Sequence, residues 1–118
     1  MKLKTLENHI QYEQYFSLLK KKFPRLKKNS VTYNIMYQIS QHDQIQWLDL
    51  QRLVWPKLNE REYSSYGYGL DLRHKCEFML SKQRVGHNVC FSLNEIGKAF
   101  LYYVEVLENQ RKEMSNEK

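Results

Sequence analysis

The sequence predicts an α+β fold that is mostly helical, and three observations support this fold class. Large apolar residues recur at helical spacing over about residues 5–23, 31–41 and 94–109. Just before the last of these stretches, two short runs at 76–80 and 89–93 alternate in polarity, which predicts the strands of a β-hairpin. Only two prolines and four glycines in 118 residues indicate mostly regular structure, and this length suits one domain over residues 1–118.

The charge and composition narrow the class of partner and the compartment. A net charge of +6 and a pI near 9.3 favour a polyanionic partner, nucleic acid above all, although many small proteins are basic for no specific reason. No apolar run approaches the roughly 18–20 residues that a membrane span needs. The first residues lack the apolar region of a secretion signal, and two cysteines are too few for a disulfide framework. We therefore expect a cytoplasmic protein without a membrane partner.

The first predicted helix covers residues 5–23 and ends before Pro24, because the residue that precedes a proline is disfavoured in a helix. It leads into a basic segment, Lys20–Lys28, which carries six positive charges in nine residues. Such a segment either contacts phosphate groups or is a solvated helix end, where cations suit the negative end of the helix dipole.

The middle of the chain predicts two more helices with a minimal strand between them. Ser30 is placed to cap the helix at 31–41, and Asp49 to cap a short helix that ends at Trp55-Pro56. Residues 45–47 lie between these helices and form the candidate strand. The residues expected to face the core are Val31, Ile35, Met36, Ile39, Leu50, Leu53 and Val54.

The segment before the hairpin allows two interpretations. Residues 59–62 have the form of a capping box, and an apolar stripe that follows them predicts a helix over about 60–73 with a polar, hydroxyl-rich outer face. Against this helix, Gly67 and Gly69 each cost about 1 kcal/mol relative to alanine. The alternative is an irregular loop followed by a shorter helix at about 69–76.

The predicted hairpin has a basic tip and leads directly into the final helix. The tip, Ser81–Asn88, is polar and contains Gly86 for the turn. Asn94 is placed to cap the helix at 94–109, and the polar tail at 110–118 is expected to fray. The apolar stripe of the final helix consists of Ile96, Ala99, Phe100, Tyr103, Val104 and Leu107.

The joint between hairpin and final helix, Leu93-Asn94-Glu95-Ile96-Gly97-Lys98, resembles that of MarR-type winged-helix regulators, which usually reads Leu-Thr-x-x-Gly-basic. Within that group, Leu18–Phe23 and Thr32–Ser40 are similar to the first two helices of the small staphylococcal Sar regulators. The resemblance covers roughly residues 6–108 and implies a winged helix-turn-helix with additional N- and C-terminal helices. The hairpin tip departs from that family, because Gln83–His87 replaces its common acidic-acidic-Arg sequence.

The resemblance implies a transcriptional regulator that binds double-stranded DNA sequence-specifically. A helix at 60–73 would lie in the major groove, and the hairpin would lie along the minor groove or the backbone. Arg84 would be the arginine that enters a narrow, electronegative minor groove. The residues expected to contact DNA are Arg61, Ser64, Ser65, Tyr68, Arg73, Lys75, Lys82, Arg84 and His87.

The resemblance also implies a homodimer that presents two recognition helices to a pseudo-palindromic site. The N-terminal helix and the final helix would form the contact, and their large apolar residues are compatible with this. The residues expected at the dimer contact are Ile10, Tyr15, Phe16, Phe100, Tyr103 and Leu107. No residue specifies a small-molecule effector.

The sequence does not indicate enzymatic or metal chemistry. Its four histidines and two cysteines lack metal-ligand spacing, and it contains no phosphate-binding glycine loop or nucleophile elbow, so we expect neither a cofactor nor an enzyme. Cys76 and Cys90 either sense oxidants, which needs an exposed thiolate, or act as small buried hydrophobes. Two other functions stay open: a protein-interaction module that uses the tyrosine-rich segment 63–68, and a non-specific nucleic-acid-binding protein of a mobile element.

Overall fold

A computed structural model of the chain describes residues 11–63 and 70–116 and has an α+β fold that is mostly helical. Within these residues, the helices and strands follow one another in the predicted order. No helix in the described ranges is long and apolar enough to cross a bilayer. The elements are α1 (Phe16–Lys22), α2 (Val31–Ser40), β1 (Ile45–Gln46), α3 (Trp47–Val54), α4 (Leu70–Cys76), β2 (Leu80–Val85), β3 (Asn88–Leu93) and α5 (Glu95–Asn116).

The three strands form one antiparallel sheet in the order β1-β3-β2. Strands β2 and β3 form the hairpin, in which Val85 lies opposite Asn88 and only Gly86 and His87 make the turn. Gly86 has a φ of +63°, a conformation that glycine adopts without steric cost. The candidate strand at 45–47 is confirmed for its first two residues, because Ile45 pairs with Phe91 on β3.

The core lies where α2 packs against α3, α5 and β3. Burying a large aliphatic or aromatic side chain stabilises the fold by about 1.5–3 kcal/mol, so the fully buried residues carry most of the packing energy. Ser30 caps α2 as predicted, because its hydroxyl accepts a hydrogen bond from the Tyr33 N–H at 3.1 Å. The largest fully buried hydrophobic side chains are Phe91, Phe100, Leu19, Ile35, Met36, Ile39, Leu50, Met79 and Val104.

The joint between β3 and α5 is fixed by Asn94. Its side-chain carbonyl accepts the Gly97 N–H at 2.9 Å, which confirms the predicted cap. Its side-chain amide also donates to the Phe78 carbonyl at 2.9 Å, and its backbone N–H donates to the Met79 carbonyl at 3.2 Å. A Cβ at Gly97 would lie 2.4 Å from that Met79 oxygen, so this position takes a residue without a side chain. Asn94 therefore holds α5 against the segment that precedes the hairpin.

The predicted start of the hairpin is wrong. Cys76 ends α4, Glu77–Met79 is a 3-10 turn, and β2 begins only at Leu80. The alternation at 76–80 also fits a helical stripe, because Leu72, Cys76 and Met79 are spaced i, i+4 and i+7 and pack on the core. Most of the segment predicted as the hairpin tip is therefore strand, and the turn itself is two residues long.

The segment before α4 corrects the helix predicted at 60–73. Glu60–Glu62 is a 3-10 turn, in which the Glu62 carboxylate accepts the Asn59 N–H at 3.2 Å. Tyr63 follows in an extended conformation, which rules out a continuous helix from 60. The helix Leu70–Cys76 agrees with the alternative interpretation of a shorter helix at about 69–76.

Four further boundaries and orientations differ from the prediction. A turn at residues 14–15 interrupts the N-terminal helix. Helix α3 begins at Trp47, so Asp49 lies in its first turn and is not its cap. Val31 and Leu53 are each 43% exposed and lie outside the core.

The final helix extends well past the predicted end at 109. It runs to residue 116, so the polar tail is helical for most of its length. The ion pair between Lys28 and Glu105, at 2.9 Å, and the hydrogen bond from Arg111 to the Leu26 carbonyl, at 2.8 Å, tie α5 to the connection that precedes α2. These contacts hold a part of the helix that has few apolar residues.

Candidate nucleic-acid interface

One face of the sheet carries the cationic residues of β2 beside α4. Directly paired residues of an antiparallel sheet share a face, and so do residues two apart on one strand. Lys82 pairs with Phe91 and Arg84 pairs with Val89, so these four residues lie on the same face, which we call the hairpin face. The Arg73 guanidinium of α4 lies 5.3 Å from the Phe91 ring on this face. The hairpin cations and α4 are therefore on the same side of the molecule.

Arg84 lies near the outer end of the hairpin face, two residues before the turn. It is exposed, and it forms no ion pair with any residue in the described part of the chain. Its neighbours at this end, Val85 and Val89, are also exposed, as is His87 in the turn. A side-chain hydrogen bond between Gln44 and Gln83 ties the hairpin to the loop before β1. Arg84 is thus an available cation just beyond the anchored part of the hairpin.

Lys82 is held at the base of the hairpin by Glu77. Its ammonium lies 3.0 Å from the Glu77 carboxylate. The hydrogen bond from Lys82 is the main reason that the pKa of Glu77 lies below its usual value; burial opposes this shift, and His74 and Arg73 add smaller favourable contributions. This pair joins the end of α4 to β2, so Lys82 is a partly neutralised cation that fixes the position of the hairpin.

Arg73 was predicted as a phosphate contact, and most of its side chain is packed within the fold. Its side chain is only 20% exposed, and its guanidinium lies over the rings of Phe91 and Trp47, at 5.3 and 5.9 Å from their centroids. Contacts between a cation and an aromatic face stabilise such a packing. Arg73 therefore packs α4 against the sheet.

Lys75 does not join the hairpin cations. It is two residues from Arg73 on α4, and its ammonium lies 5.2 Å from the Phe23 ring at the end of α1. Residues two apart on a helix point in different directions. Arg61 is exposed in the 3-10 turn before α4, whereas Ser64, Ser65 and Tyr68 lie outside the described residues.

The residues predicted at a dimer contact divide into core and partly exposed groups. Phe100 is fully buried and Tyr103 nearly so within the chain itself. Their side chains leave little surface for a partner, so we assign both to the core of the chain. Tyr15, Phe16 and Leu107 are half-buried against the core, and Ile10 lies outside the described residues.

One aromatic residue beside this half-buried group, Tyr102, was missed by the sequence prediction. The Tyr102 ring packs 5.8 Å from Tyr12 and 6.1 Å from Phe16. Tyr102 precedes Tyr103 on α5 and was not assigned to the apolar stripe. The sequence did contain a signal for Tyr102, because it is an aromatic residue next to the apolar stripe of α5. A helix with such a wide apolar face can contact more than one neighbour.

The two cysteines fit the interpretation as small buried hydrophobes. Both are buried, and burial raises the pKa of the Cys76 thiol to about 11. A thiol with a raised pKa is a poor nucleophile near neutral pH because little thiolate is present. Within residues 11–63 and 70–116, the structure places no group of three histidine, cysteine or acidic residues where it could hold a metal ion.

Comparison of the chain with protein-family models, with curated protein sequences and with solved structures gives no match.

Proposed function

We propose that the protein is a winged-helix regulator of transcription that binds double-stranded DNA sequence-specifically as a homodimer. Helix α4 would enter the major groove, and the β2–β3 hairpin would be the wing. The observation that carries the proposal is Arg84, an exposed arginine without a described ion-pair partner, on the face that the hairpin shares with α4.

The shape of the hairpin supports this use of Arg84. Two strands about 4.8 Å apart, closed by the turn at Gly86 and His87, make a narrow projection. The minor groove of B-DNA is about 6 Å wide. The tip of the hairpin would therefore lie along the edges of the groove while the Arg84 side chain enters the groove. A narrow minor groove has enhanced negative potential, which favours a guanidinium.

The net charge supports DNA as the partner, and the aromatic surface supports a second copy of the chain. A charge of +6 favours association with a polyanion over the whole molecule. Tyr12, Phe16 and Tyr102 form an aromatic group on the N-terminal segment and α5, and aromatic residues are enriched at protein interfaces. Sedimentation equilibrium tests this part directly, because a protein that stays monomeric up to high micromolar concentration contradicts the homodimer.

Fluorescence anisotropy with a labelled duplex of random sequence tests the DNA-binding face. The logarithm of the binding constant should fall linearly with the logarithm of the salt concentration, since each phosphate contact releases counterions. Arg84→Ala should lower the magnitude of this slope by about 1. Lys112→Ala is the matched control, because Lys112 is an exposed cation near the end of α5 that has no part in the proposed DNA contact, and its removal should leave the slope nearly unchanged.

Other results would favour other functions. An equal loss of slope in Arg84→Ala and Lys112→Ala would indicate binding through general surface charge, as in a non-specific nucleic-acid-binding protein. No measurable affinity at about 150 mM salt, where even non-specific binding has a Kd of about 10⁻⁴–10⁻⁶ M, would exclude DNA as the partner.

A further inference from the structure

A groove of about 230 Å³ with three exposed cations lies between the end of α1, the start of α2 and α4. We call it the basic groove. Lys22, Arg25 and Lys75 line it and are exposed, whereas Phe23 and Leu26, which also line it, are buried. None of the described residues that line the groove is acidic. None of its three cations forms an ion pair with another residue that the structure describes, so all three charges are available to a partner.

Aromatic packing brings two of these cations together from distant parts of the chain. The rings of Phe23 and Phe78 stack with their centroids 6.2 Å apart. The Lys22 ammonium lies 5.9 Å from the centroid of Phe78, and the Lys75 ammonium lies 5.2 Å from that of Phe23. A cation over an aromatic face is attracted to the ring. Because these contacts already restrain both lysines, less side-chain freedom remains to be lost when a partner binds.

The helix dipoles do not account for this concentration of charge. Lys22 and Lys75 each lie in the last turn of a helix, where a cation suits the negative end of the dipole. Each helix end carries about −0.5 of an elementary charge, so the two ends offset only about one of the three cationic charges. Arg25 lies beyond the end of α1 and before the start of α2, so it serves neither helix. The groove therefore stays positive.

The basic groove and the hairpin lie on opposite sides of α4. Arg73 and Lys75 are two residues apart on this helix, so their side chains leave it roughly 200° apart. Arg73 extends toward Phe91 on the hairpin face, and Lys75 extends toward Phe23 at the end of α1. A helix with its side chains is about 10–12 Å across, and it fills a major groove about 12 Å wide. One phosphate backbone therefore runs along each side of a helix in the major groove.

We propose that the basic groove binds the phosphate backbone of the duplex on the side of α4 that faces away from the hairpin. Lys22, Arg25 and Lys75 contact phosphates there, which positions the protein without reading the sequence. Protein–DNA interfaces are more polar and more positively charged than interfaces between proteins. The exposed lining of the groove is cationic and its aromatic residue, Phe23, is buried, so the groove fits DNA. This inference rests on the proposed function, because it places α4 in the major groove.

The salt dependence of binding to the random duplex tests the inference with a Lys22→Ala/Arg25→Ala variant. Each phosphate contact contributes about 0.9 to the slope, so we expect its magnitude to fall by roughly 2. Lys22→Arg/Arg25→Lys keeps both charges and should keep the wild-type slope. Lys112→Ala, near the end of α5, should also leave the slope nearly unchanged. Circular dichroism shows whether each variant is folded, as expected for exposed positions.

Comparison with Arg84→Ala separates this inference from the proposed function. A lower slope in Arg84→Ala, with an unchanged slope in Lys22→Ala/Arg25→Ala, would overturn the basic groove as a DNA contact and leave the proposed function standing. The reverse result would support the basic groove and remove the hairpin from the DNA contact. An equal loss per charge in Lys112→Ala would overturn the inference, because any surface cation would then have the same effect. No measurable affinity of the wild type at about 150 mM salt would overturn both.

Discussion

Replacement of Gly97 by alanine should destabilise the protein, although alanine is normally the better helix former. Gly97 lies in the first turn of α5, where it faces the backbone of the segment before the hairpin. An added Cβ would lie 2.4 Å from the Met79 carbonyl oxygen, and also within 3.1 Å of Leu93 and 3.2 Å of Met36. The two side chains can move, but the carbonyl cannot move cheaply, because it also accepts the Asn94 N–H.

The size of the effect follows from two opposing contributions. Overpacking of this kind costs about 1–3 kcal/mol, and the higher helix propensity of alanine returns at most about 1 kcal/mol. We therefore expect a net loss of roughly 1–2 kcal/mol, which corresponds to a decrease in Tm of roughly 3–10 °C for a domain of this size. Thermal and urea unfolding followed by circular dichroism measure this loss.

Lys98→Ala is the matched control for Gly97→Ala. It introduces alanine at the next position of the same helical turn, where the side chain is exposed and forms only a 3.7 Å surface pair with Glu95. Its effect should stay within about 0.5 kcal/mol. If Gly97→Ala unfolds at or above the wild-type temperature, the close approach of α5 to Met79 is not a constraint, and the explanation of the joint is refuted.

Three further predictions concern other contacts near the hairpin. Asn94→Ala should lower the free energy of unfolding in urea by about 1–2 kcal/mol. Asn94→Ser should recover most of this loss, since serine also caps a helix, and equal losses in the two variants would show that the helix cap is not responsible. In a Cys90→Ala background, Cys76 should resist thiol reagents at pH 8, since a pKa of about 11 leaves about one thiolate per thousand, and fast labelling of the native protein would contradict its burial. The pKa of Glu77 is lower in the folded protein than its usual value of 4.5. Wild type should therefore be more stable than Glu77→Gln at pH 7, and this advantage should disappear as the pH falls through and below 4.5. An advantage that persists in acid would argue against the pairing with Lys82.

The parts of the fold that depend on local signals were predictable from the sequence. Ser30 three residues before Tyr33, followed by an apolar stripe, correctly predicted the cap and start of α2. Asn94 before the longest stripe likewise predicted the joint to α5, and the capping hydrogen bond to Gly97 is present. Caps and helical stripes are encoded within a few residues, so they do not depend on the rest of the fold.

The start of the hairpin was not predictable in this way. Cys76, Phe78 and Leu80 alternate as in a strand, but Leu72, Cys76 and Met79 also fit one side of a helix that turns into β2. A short apolar run satisfies both periods, and only tertiary packing decides between them. The sequence-based prediction therefore placed Lys82 and Arg84 at a loop tip, whereas both lie on a strand.

The candidate site was predictable only where a side chain stays exposed. Arg84 is as accessible as the prediction required, and its role in DNA binding stays a prediction. In the sequence, nothing distinguished Arg73 from Arg84 as an expected DNA contact. Arg73 nevertheless packs on Trp47 and Phe91, which are far from it along the chain. Arg73, Trp47 and Phe91 also line a cavity between α3, α4 and β3. That cavity depends on contacts between distant segments, and the sequence carries no local signal for it.

Selection from a pool of random duplex DNA at about 150 mM salt, with wild type beside Arg84→Ala, tests the proposed function most directly. Specific binding typically exceeds non-specific binding by about 10³-fold or more, so the wild type should enrich an inverted repeat with half-sites about one helical turn apart. Arg84→Ala should enrich the same motif more weakly. Retention of DNA without any enriched motif, or no retention at all, would contradict a sequence-specific dimeric regulator.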